Sequence, residues 1–426
     1  MECAIFPYRQ LIAAGSCGLL LRPSSPKRGS TRRDTDLYYY YAGFSQSFVE
    51  QKIRELNLPP ESLILDPWCG SGTTLAAAQK FGYNSFGSDI NPVSLILTKS
   101  RFASSADVAA ACTILQDAIR RVSNGKKTEL SPDVLLWRLR VQLAKSTRGL
   151  TWSIDKLSSL APRYALILAG LFFIARYAAR GTISRNPSWH WRNARPRLSV
   201  SQLRACWERL EQIFRELQYA LLNTAPGQKR VKLALTNLEC DSISASPIAD
   251  AVITSPPYLT RVDYGISTAL EWRLLKGDPL ADLTDWRSTF TGSVLTFRTR
   301  HSLYPLPRSV SDFLLAVHRH KSKAAQTYYF YFFRNYFVGM QNSICNLSSA
   351  CKIGATGLFV IQDSHFKDLS VPLTDFVSDM LHERGWSVDR IEPFSISPTF
   401  YKINSRRWIP EQYVCSENVI WARRVR

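Results

Sequence analysis

The chain has 426 residues and is strongly basic, with 54 lysines and arginines against 34 acidic residues and a formal charge of +20. The field of such a chain attracts polyanions such as nucleic acid. The nine cysteines include no CxxC pair, and the six histidines are scattered. The sequence therefore argues against a disulfide framework and against a zinc site. The apolar run 164–175 has only about a dozen residues, where a membrane span needs about 20, so it predicts a buried helix. We therefore expect an intracellular, cytoplasmic protein.

The N-terminal residues 1–37 are expected to form a flexible basic leader. Their segment 22–36, RPSSPKRGSTRRDTD, is rich in arginine, serine and proline and has few apolar residues. Residues 38–56 begin the ordered part of the chain. Apolar positions at helical spacing predict a helix at the end of this segment.

The run DPWCGSGTT occupies residues 66–74 and predicts a ligand-binding turn. An apolar run at 63–65 precedes it and the helix-forming LAAAQK follows, which indicates strand, glycine-rich turn and helix. Gly70 and Gly72 would let the backbone pass close to a ligand where a side chain would collide. No lysine follows the glycines, so a nucleoside suits this turn better than a triphosphate.

Two acids follow predicted strands further along the chain. Asp89 ends a second predicted strand, 23 residues after Asp66. An acid about 20 residues beyond a glycine turn is the expected partner of ribose hydroxyls. Asp241 follows a third predicted strand, residues 232–238. A solvated cap explains one such acid equally well, but the two acids together with the glycine turn favour a nucleoside pocket.

Residues 101–230, which separate the two acids, show mostly helical patterns and hold most of the charge. They contain 22 lysines and arginines against 8 acids, a net +14 of the total +20. Such asymmetry predicts an interaction surface. Segment 182–197, TISRNPSWHWRNARPR, combines arginine for phosphate with tryptophan for stacking, although a solvated loop is the alternative. Its candidate nucleic-acid-binding residues are Arg185, Arg192, Arg195 and Arg197.

The run TSPPY at residues 254–258 follows a predicted strand at 251–253 and has the composition for holding a base amine. An exocyclic amine is a poor nucleophile because its lone pair is delocalised into the ring. The Ser255 side chain and the Pro256 carbonyl can accept its two hydrogens, on a turn that proline stiffens. Tyr258 can stack on a base that has left the duplex. The alternative is an ordinary proline-rich turn after an edge strand, without a binding role.

The remaining sequence predicts the second half of an α/β sheet. We expect an aromatic helix at 326–337, where core packing is simpler than base stacking, and a buried strand at 357–362. A helix at 373–384 and closing strands at 386–396 and 412–422 follow. Such an order indicates a doubly wound, mostly parallel sheet that ends in an antiparallel hairpin.

Together, the two motifs resemble the amino-group DNA methyltransferases, which use S-adenosylmethionine to methylate the exocyclic nitrogen of cytosine or adenine. The resemblance covers residues 38–99 and 231–421. It implies a class I methyltransferase (Rossmann-like) fold and a catalytic domain formed by 38–100 and 231–426. Residues 101–230 depart from it, because relatives place their target-recognition region later in the chain. We predict that this helical insertion binds nucleic acid.

The resemblance also implies where the cofactor, S-adenosylmethionine, is held. Trp68 stands where the family usually carries phenylalanine, and Asp241 where relatives bind the adenine amine. Phe44 lies in a segment that covers the methionine part in relatives. The cofactor-binding residues are then Phe44, Asp66, Trp68, Gly70, Gly72, Thr73, Asp89 and Asp241.

The serine before the prolines resembles the cytosine-N4 enzymes, whereas aspartate or asparagine there resembles the adenine-N6 enzymes. We therefore expect DNA as the partner and N4 methylation of a flipped cytosine, with catalytic residues Ser255, Pro256, Pro257 and Tyr258. An adenine-N6 enzyme, an RNA base-amine methyltransferase and an inactive nucleic-acid-binding relative stay open as alternatives. So does the existence of a restriction-type partner.

Overall fold

The computed structural model describes residues 37–38, 45–124, 132–147, 150, 152–179, 198–222, 230–259, 263–296, 300–395 and 416–426. Within these ranges the strands are β1 Leu63–Asp66, β2 Asn84–Asp89, β3 Val231–Leu235, β4 Ala249–Thr254, β5 Cys351–Gln362, β6 Ser364–Phe366, β7 Leu369–Val371, β8 Trp386–Ser395 and β9 Ser416–Arg424. The helices are α1 Gln46–Leu56, α2 Thr73–Lys80, α3 Pro92–Ser100, α4 Ser105–Asn124, α5 Pro132–Ser146, α6 Pro162–Ala178, α7 Val200–Leu222, α8 Tyr264–Ser267, α9 Ala269–Lys276, α10 Thr284–Ser288, α11 Arg308–Arg319, α12 Phe330–Ala350 and α13 Leu373–Glu383.

A seven-stranded sheet in the order β3-β2-β1-β4-β5-β9-β8 forms the centre of the fold. Its first five strands pair in parallel, and β9 pairs antiparallel with both β5 and β8. The predicted mostly parallel, Rossmann-like sheet with a C-terminal antiparallel hairpin is confirmed. The chain moves outward from β1 to β2 and β3, and then returns beside β1 as β4. This reversal makes a crevice at the carboxyl ends of β1 and β4, where ligands bind in open α/β sheets.

The helices of the insertion share one hydrophobic core with helices of the sheet domain. Leu115 of α4, Phe172 of α6 and Leu210 of α7 are buried together with Ile96 of α3 and Trp272 of α9. Helical structure in the described part of this segment is thus confirmed, and its helices are packed onto the sheet domain. The domain boundaries at 101 and 230 stay a prediction.

Helix α6 contains the apolar run 164–175, and the predicted buried helix is confirmed. Its residues from Ala165 to Ala175 are buried. Arg176 near its end forms an ion pair with the buried Glu271 of α9, which also accepts the Tyr38 hydroxyl at 2.9 Å. In the part of the chain that the structure describes, no helix is both long and apolar enough to span a membrane.

The second half of the sheet follows the predicted order, with added elements that include helix α11. The aromatic helix is confirmed as core, since Phe332, Phe333, Tyr336 and Phe337 are buried. The small β6–β7 sheet was not predicted. Helices α8, α9 and α10 also lie in the segment after the proline turn, where Asp263 caps α8 by accepting the Ile266 N–H at 2.9 Å.

Candidate functional site

One cavity lies at the carboxyl ends of β1, β2, β3 and β4, at the crevice where the strand order reverses. The glycine turn, Asp89 and the proline turn all contribute to its wall. Its lining residues are Asp66, Pro67, Trp68, Cys69, Gly70, Ser71, Thr73, Asp89, Ile90, Asn91, Thr236, Asn237, Leu238, Ser255, Pro256, Pro257, Tyr258, Tyr264, Phe290, Thr291 and Ser343.

The glycine turn joins β1 to α2 in a conformation that only glycine adopts readily. Gly70 and Gly72 have φ angles of 52° and 79°, in the left-handed region. A Cβ at Gly72 would lie 2.5 Å from the Thr98 Cγ2 atom. Gly70 and Thr73 line the cavity, whereas Gly72 does not. Gly72 therefore permits close packing on α3, and Gly70 brings the backbone to the cavity wall.

Asp66 connects the glycine turn to the proline turn. Its side chain is 2% exposed, and its Oδ1 atom accepts the Thr254 hydroxyl at 2.7 Å and the Trp68 N–H at 3.3 Å. Burial raises the pKa of Asp66 to about 6. Because Thr254 ends β4, this hydrogen bond fixes the spacing of the two turns across the sheet.

Asp89 lines the cavity at the end of β2, as the sequence predicts for that strand. Its carboxylate accepts the N–H of Gly70 at 2.9 Å and the N–H of Asn91 at 2.8 Å. Burial raises the pKa of Asp89 to about 6 despite these hydrogen bonds. The Ser94 side chain and the Ile90 N–H also hydrogen-bond this carboxylate, so its roughly four lone-pair sites hold the glycine turn and the start of α3, and a ribose hydroxyl would share one of them.

Asp241 is exposed and does not line the cavity. Its Oδ2 atom accepts the Asn237 N–H at 3.0 Å, and Asn237 itself lines the cavity beside Thr236. Strand β3 ends at Leu235, whereas the sequence prediction extended it to 238, so that boundary was wrong. The apolar Leu238 that suggested a longer strand is buried in the following turn, which directs Asp241 outward.

Every residue of the run 255–258 lines the cavity, directly after β4. The Ser255 hydroxyl donates to the Val360 carbonyl at 3.3 Å and hydrogen-bonds the Tyr258 hydroxyl. The Tyr336 hydroxyl donates to the Pro257 carbonyl at 2.8 Å. The turn is thereby anchored from β5 and from α12, which restricts where its acceptors point.

Tyr258 is held at both its backbone and its hydroxyl. Its N–H donates to the Tyr264 hydroxyl at 3.1 Å, and its own hydroxyl donates to Glu417 Oε1 at 2.7 Å. Burial first, and then the Glu417 charge, raise the pKa of Tyr258 well above its usual range. Tyr258 therefore stays protonated and acts as a hydrogen-bond donor to Glu417.

Another part of the cavity wall contains residues that no motif in the sequence indicates. Phe290 and Thr291 line it, and Thr291 donates to the buried Glu239. Glu239 forms an ion pair with Arg300 at 2.6 Å, and Arg300 donates to the Phe290 carbonyl at 2.7 Å. These contacts fix the wall, and Glu239 lies 52 residues before Thr291, so only the fold brings these two residues together.

Some predicted site residues lie outside the described residues. They are Phe44, Arg185, Arg192, Arg195 and Arg197. Their roles in cofactor and nucleic-acid binding stay predictions.

Comparison with known proteins finds a family match in the N-terminal part of the chain. Residues 23–99, which include the glycine turn and Asp89, match the family model of the N6/N4 methyltransferases, described as DNA methylase. The type II methyltransferase M.BsoBI of Geobacillus stearothermophilus is 47% identical over 57 residues, which are 13% of this chain and 11% of that protein. The chain thus matches only about a tenth of the length of this relative.

The similar solved structures are distant. A TehB-like SAM-dependent methyltransferase from Corynebacterium glutamicum is 9% identical over 87% of this chain and 86% of its own, with a TM-score of 0.27. The rRNA methyltransferase aviRa from Streptomyces viridochromogenes is 12% identical over 93% and 96%, with a TM-score of 0.31. Similarity at this level identifies no substrate. Over residues 23–99 the chain is thus similar to the amino-group (N4/N6) DNA methyltransferases.

Proposed function

We propose that the chain transfers the methyl group of S-adenosylmethionine to the exocyclic N4 amine of a flipped cytosine in duplex DNA. The observation that carries this proposal is the shared cavity. The glycine turn with Asp89 forms one side of it, and the run Ser255–Tyr258 forms another. A methyl donor and an acceptor base held on these two sides would meet in one crevice, which is the positioning that a direct transfer needs.

The residues present fit S-adenosylmethionine. Gly70 offers backbone without a side chain, and Asp89 is a buried carboxylate for a pair of hydroxyls. Asn237 has both a donor and an acceptor for an adenine edge. When bound, the cofactor supplies a methyl group on a positively charged sulfur, which acidic residues such as Asp66 and Asp89 favour electrostatically.

The acceptor side supplies hydrogen-bond acceptors and an aromatic face. The Ser255 oxygen and the Pro256 carbonyl can accept the two amine hydrogens and draw the nitrogen towards a tetrahedral geometry. Tyr258 offers its ring to the base. Because Tyr336 and Val360 hold the turn, these groups need little reorganisation during transfer. The nitrogen would gain the methyl group as the bond from that group to the cofactor sulfur breaks, and the surplus amine proton would pass to solvent, so no covalent intermediate is required.

Serine at position 255 supports cytosine as the base, since the adenine-N6 relatives carry aspartate or asparagine there. The net +14 of residues 101–230 supports a nucleic acid as partner, because phosphate contacts by lysine and arginine dominate such binding. We propose that this insertion contacts the duplex backbone.

Nucleoside analysis of the reaction product tests the proposal. Purified protein is incubated with isotopically labelled S-adenosylmethionine and either duplex DNA of mixed sequence or RNA, and the digested nucleosides are separated by mass spectrometry. Labelled N4-methylcytosine from DNA is the expected product. Labelled N6-methyladenine would overturn the choice of base, and label in RNA alone would overturn the choice of nucleic acid. Cofactor binding without any transfer would indicate an inactive relative.

A further inference from the structure

A buried acid outside the two motifs contacts the proposed catalytic turn. Glu417 lies on β9, where it pairs with Gln362 at the carboxyl end of β5, so it stands at the same edge of the sheet as the cavity. Its side chain is 1% exposed and accepts the Tyr258 hydroxyl at 2.7 Å. Burying a carboxylate costs free energy unless it is hydrogen-bonded. The Tyr258 hydroxyl therefore stabilises the buried Glu417, and the same hydrogen bond holds the Tyr258 side chain in place.

The carboxylate also determines the direction of the neighbouring hydrogen bonds. The Tyr258 hydroxyl donates to Glu417 Oε1, so its one proton is used in that hydrogen bond. The Tyr258 oxygen then has only lone pairs to offer Ser255, and the Val360 carbonyl, 3.3 Å from Ser255 Oγ, can also only accept. The single proton of Ser255 is therefore used within the protein, and its oxygen lone pairs are left for a donor in the cavity.

We propose that Glu417 is a positioning residue that fixes the hydrogen-bond direction through Tyr258 to Ser255, so that the Ser255 oxygen accepts from a base amine. The inference rests on the proposed function and deepens it. A base with an amine at this position donates to Ser255, whereas uracil or thymine presents a carbonyl oxygen there and meets lone pairs. Glu417 thus contributes to the choice of an amine-bearing base while having no contact with it.

The variant Glu417→Gln tests this role because it keeps the size of the side chain. An amide can either donate to or accept from Tyr258, so the direction is no longer fixed. We expect kcat for methyl transfer to fall on the order of tenfold to hundredfold, as for loss of one hydrogen bond to a charged group. The KM and Kd for S-adenosylmethionine should be unchanged, because Glu417 does not line the cavity.

Glu271→Gln is the matched control. Glu271 is also a buried glutamate that accepts a tyrosine hydroxyl, that of Tyr38, but it lies in the helical core away from the cavity. This variant should lose thermal stability and keep the parental kcat. Tyr258→Phe removes the same link from the other end, so adding Glu417→Gln to it should change kcat by less than about twofold, as for one interacting unit.

The outcomes separate this inference from the proposed function. A parent protein that binds S-adenosylmethionine but methylates no base amine would overturn the proposed function and this inference with it. An active parent together with a Glu417→Gln variant of unchanged kcat would overturn the positioning role alone. So would equal losses of cofactor affinity and kcat, or full additivity with Tyr258→Phe, because each indicates a merely structural effect.

Discussion

Replacing Asp89 with asparagine tests whether the acid at the end of β2 belongs to the cofactor pocket. Asparagine keeps the size and one acceptor oxygen, so it can still hold the Gly70 N–H or the Asn91 N–H. It loses the charge and acceptor capacity that a ribose hydroxyl would use. One charge-assisted hydrogen bond contributes about 1.5–3 kcal/mol, so the Kd for S-adenosylmethionine should rise by about tenfold to 150-fold.

Calorimetry with S-adenosylmethionine, at a pH well above 6, measures this change. Asp241→Asn is the matched control, since Asp241 is exposed outside the cavity and its replacement should leave the Kd unchanged. Asn237→Ala should weaken binding, because Asn237 lines the wall instead. Parental affinity in Asp89→Asn, or a loss of affinity in Asp241→Asn but not in Asn237→Ala, would refute this description of the pocket.

Three further predictions follow from the site. Ser255→Ala should abolish most methyl transfer and keep the Kd for S-adenosylmethionine; parental kcat would remove Ser255 from the mechanism. The pKa of Asp66 is raised to about 6, so its stabilising contribution is present at low pH and is lost as pH rises through 6. Thermal melting should therefore show a smaller loss of stability between pH 5 and 7 in Asp66→Asn than in the parent, and identical profiles would contradict this. Replacing the four arginines of segment 182–197 with glutamine should weaken binding to all duplex sequences and leave cofactor affinity unchanged. The slope of log affinity against log salt concentration should become shallower by about 0.9 for each lost phosphate contact. A variant with the slope of the parent would indicate that the segment is a solvated loop.

Sequence patterns predict the parts of the fold that depend on local order. Strands β1 and β4 and helix α2 follow from apolar runs and a glycine turn, because these signals are contiguous in the chain. The end of β3 was misplaced because Leu238 continues the apolar run although it packs in a turn. Periodicity reports burial, and it does not distinguish a strand from a buried turn.

Residues that reach the site by tertiary contact could not be predicted in this way. Tyr264 and Glu417 contact Tyr258 from a helix and from the last strand, 6 and 159 residues away in the chain. Their identity as site residues depends on strand order and on which face of β9 is buried. A glutamate in a hairpin at the edge of a sheet is ordinarily solvated, so nothing in the local sequence around Glu417 indicates that it belongs to the site.

The central claim is that this chain methylates a base amine of DNA, and modification analysis of cellular DNA tests it most directly. DNA from cells that express the parent protein is compared with DNA from cells that express Ser255→Ala, using sequencing that separates N4-methylcytosine from N6-methyladenine. We expect N4-methylcytosine at a defined sequence only with the parent. Equal modification in both cell lines, or none in either despite cofactor binding by the purified parent, would contradict the claim.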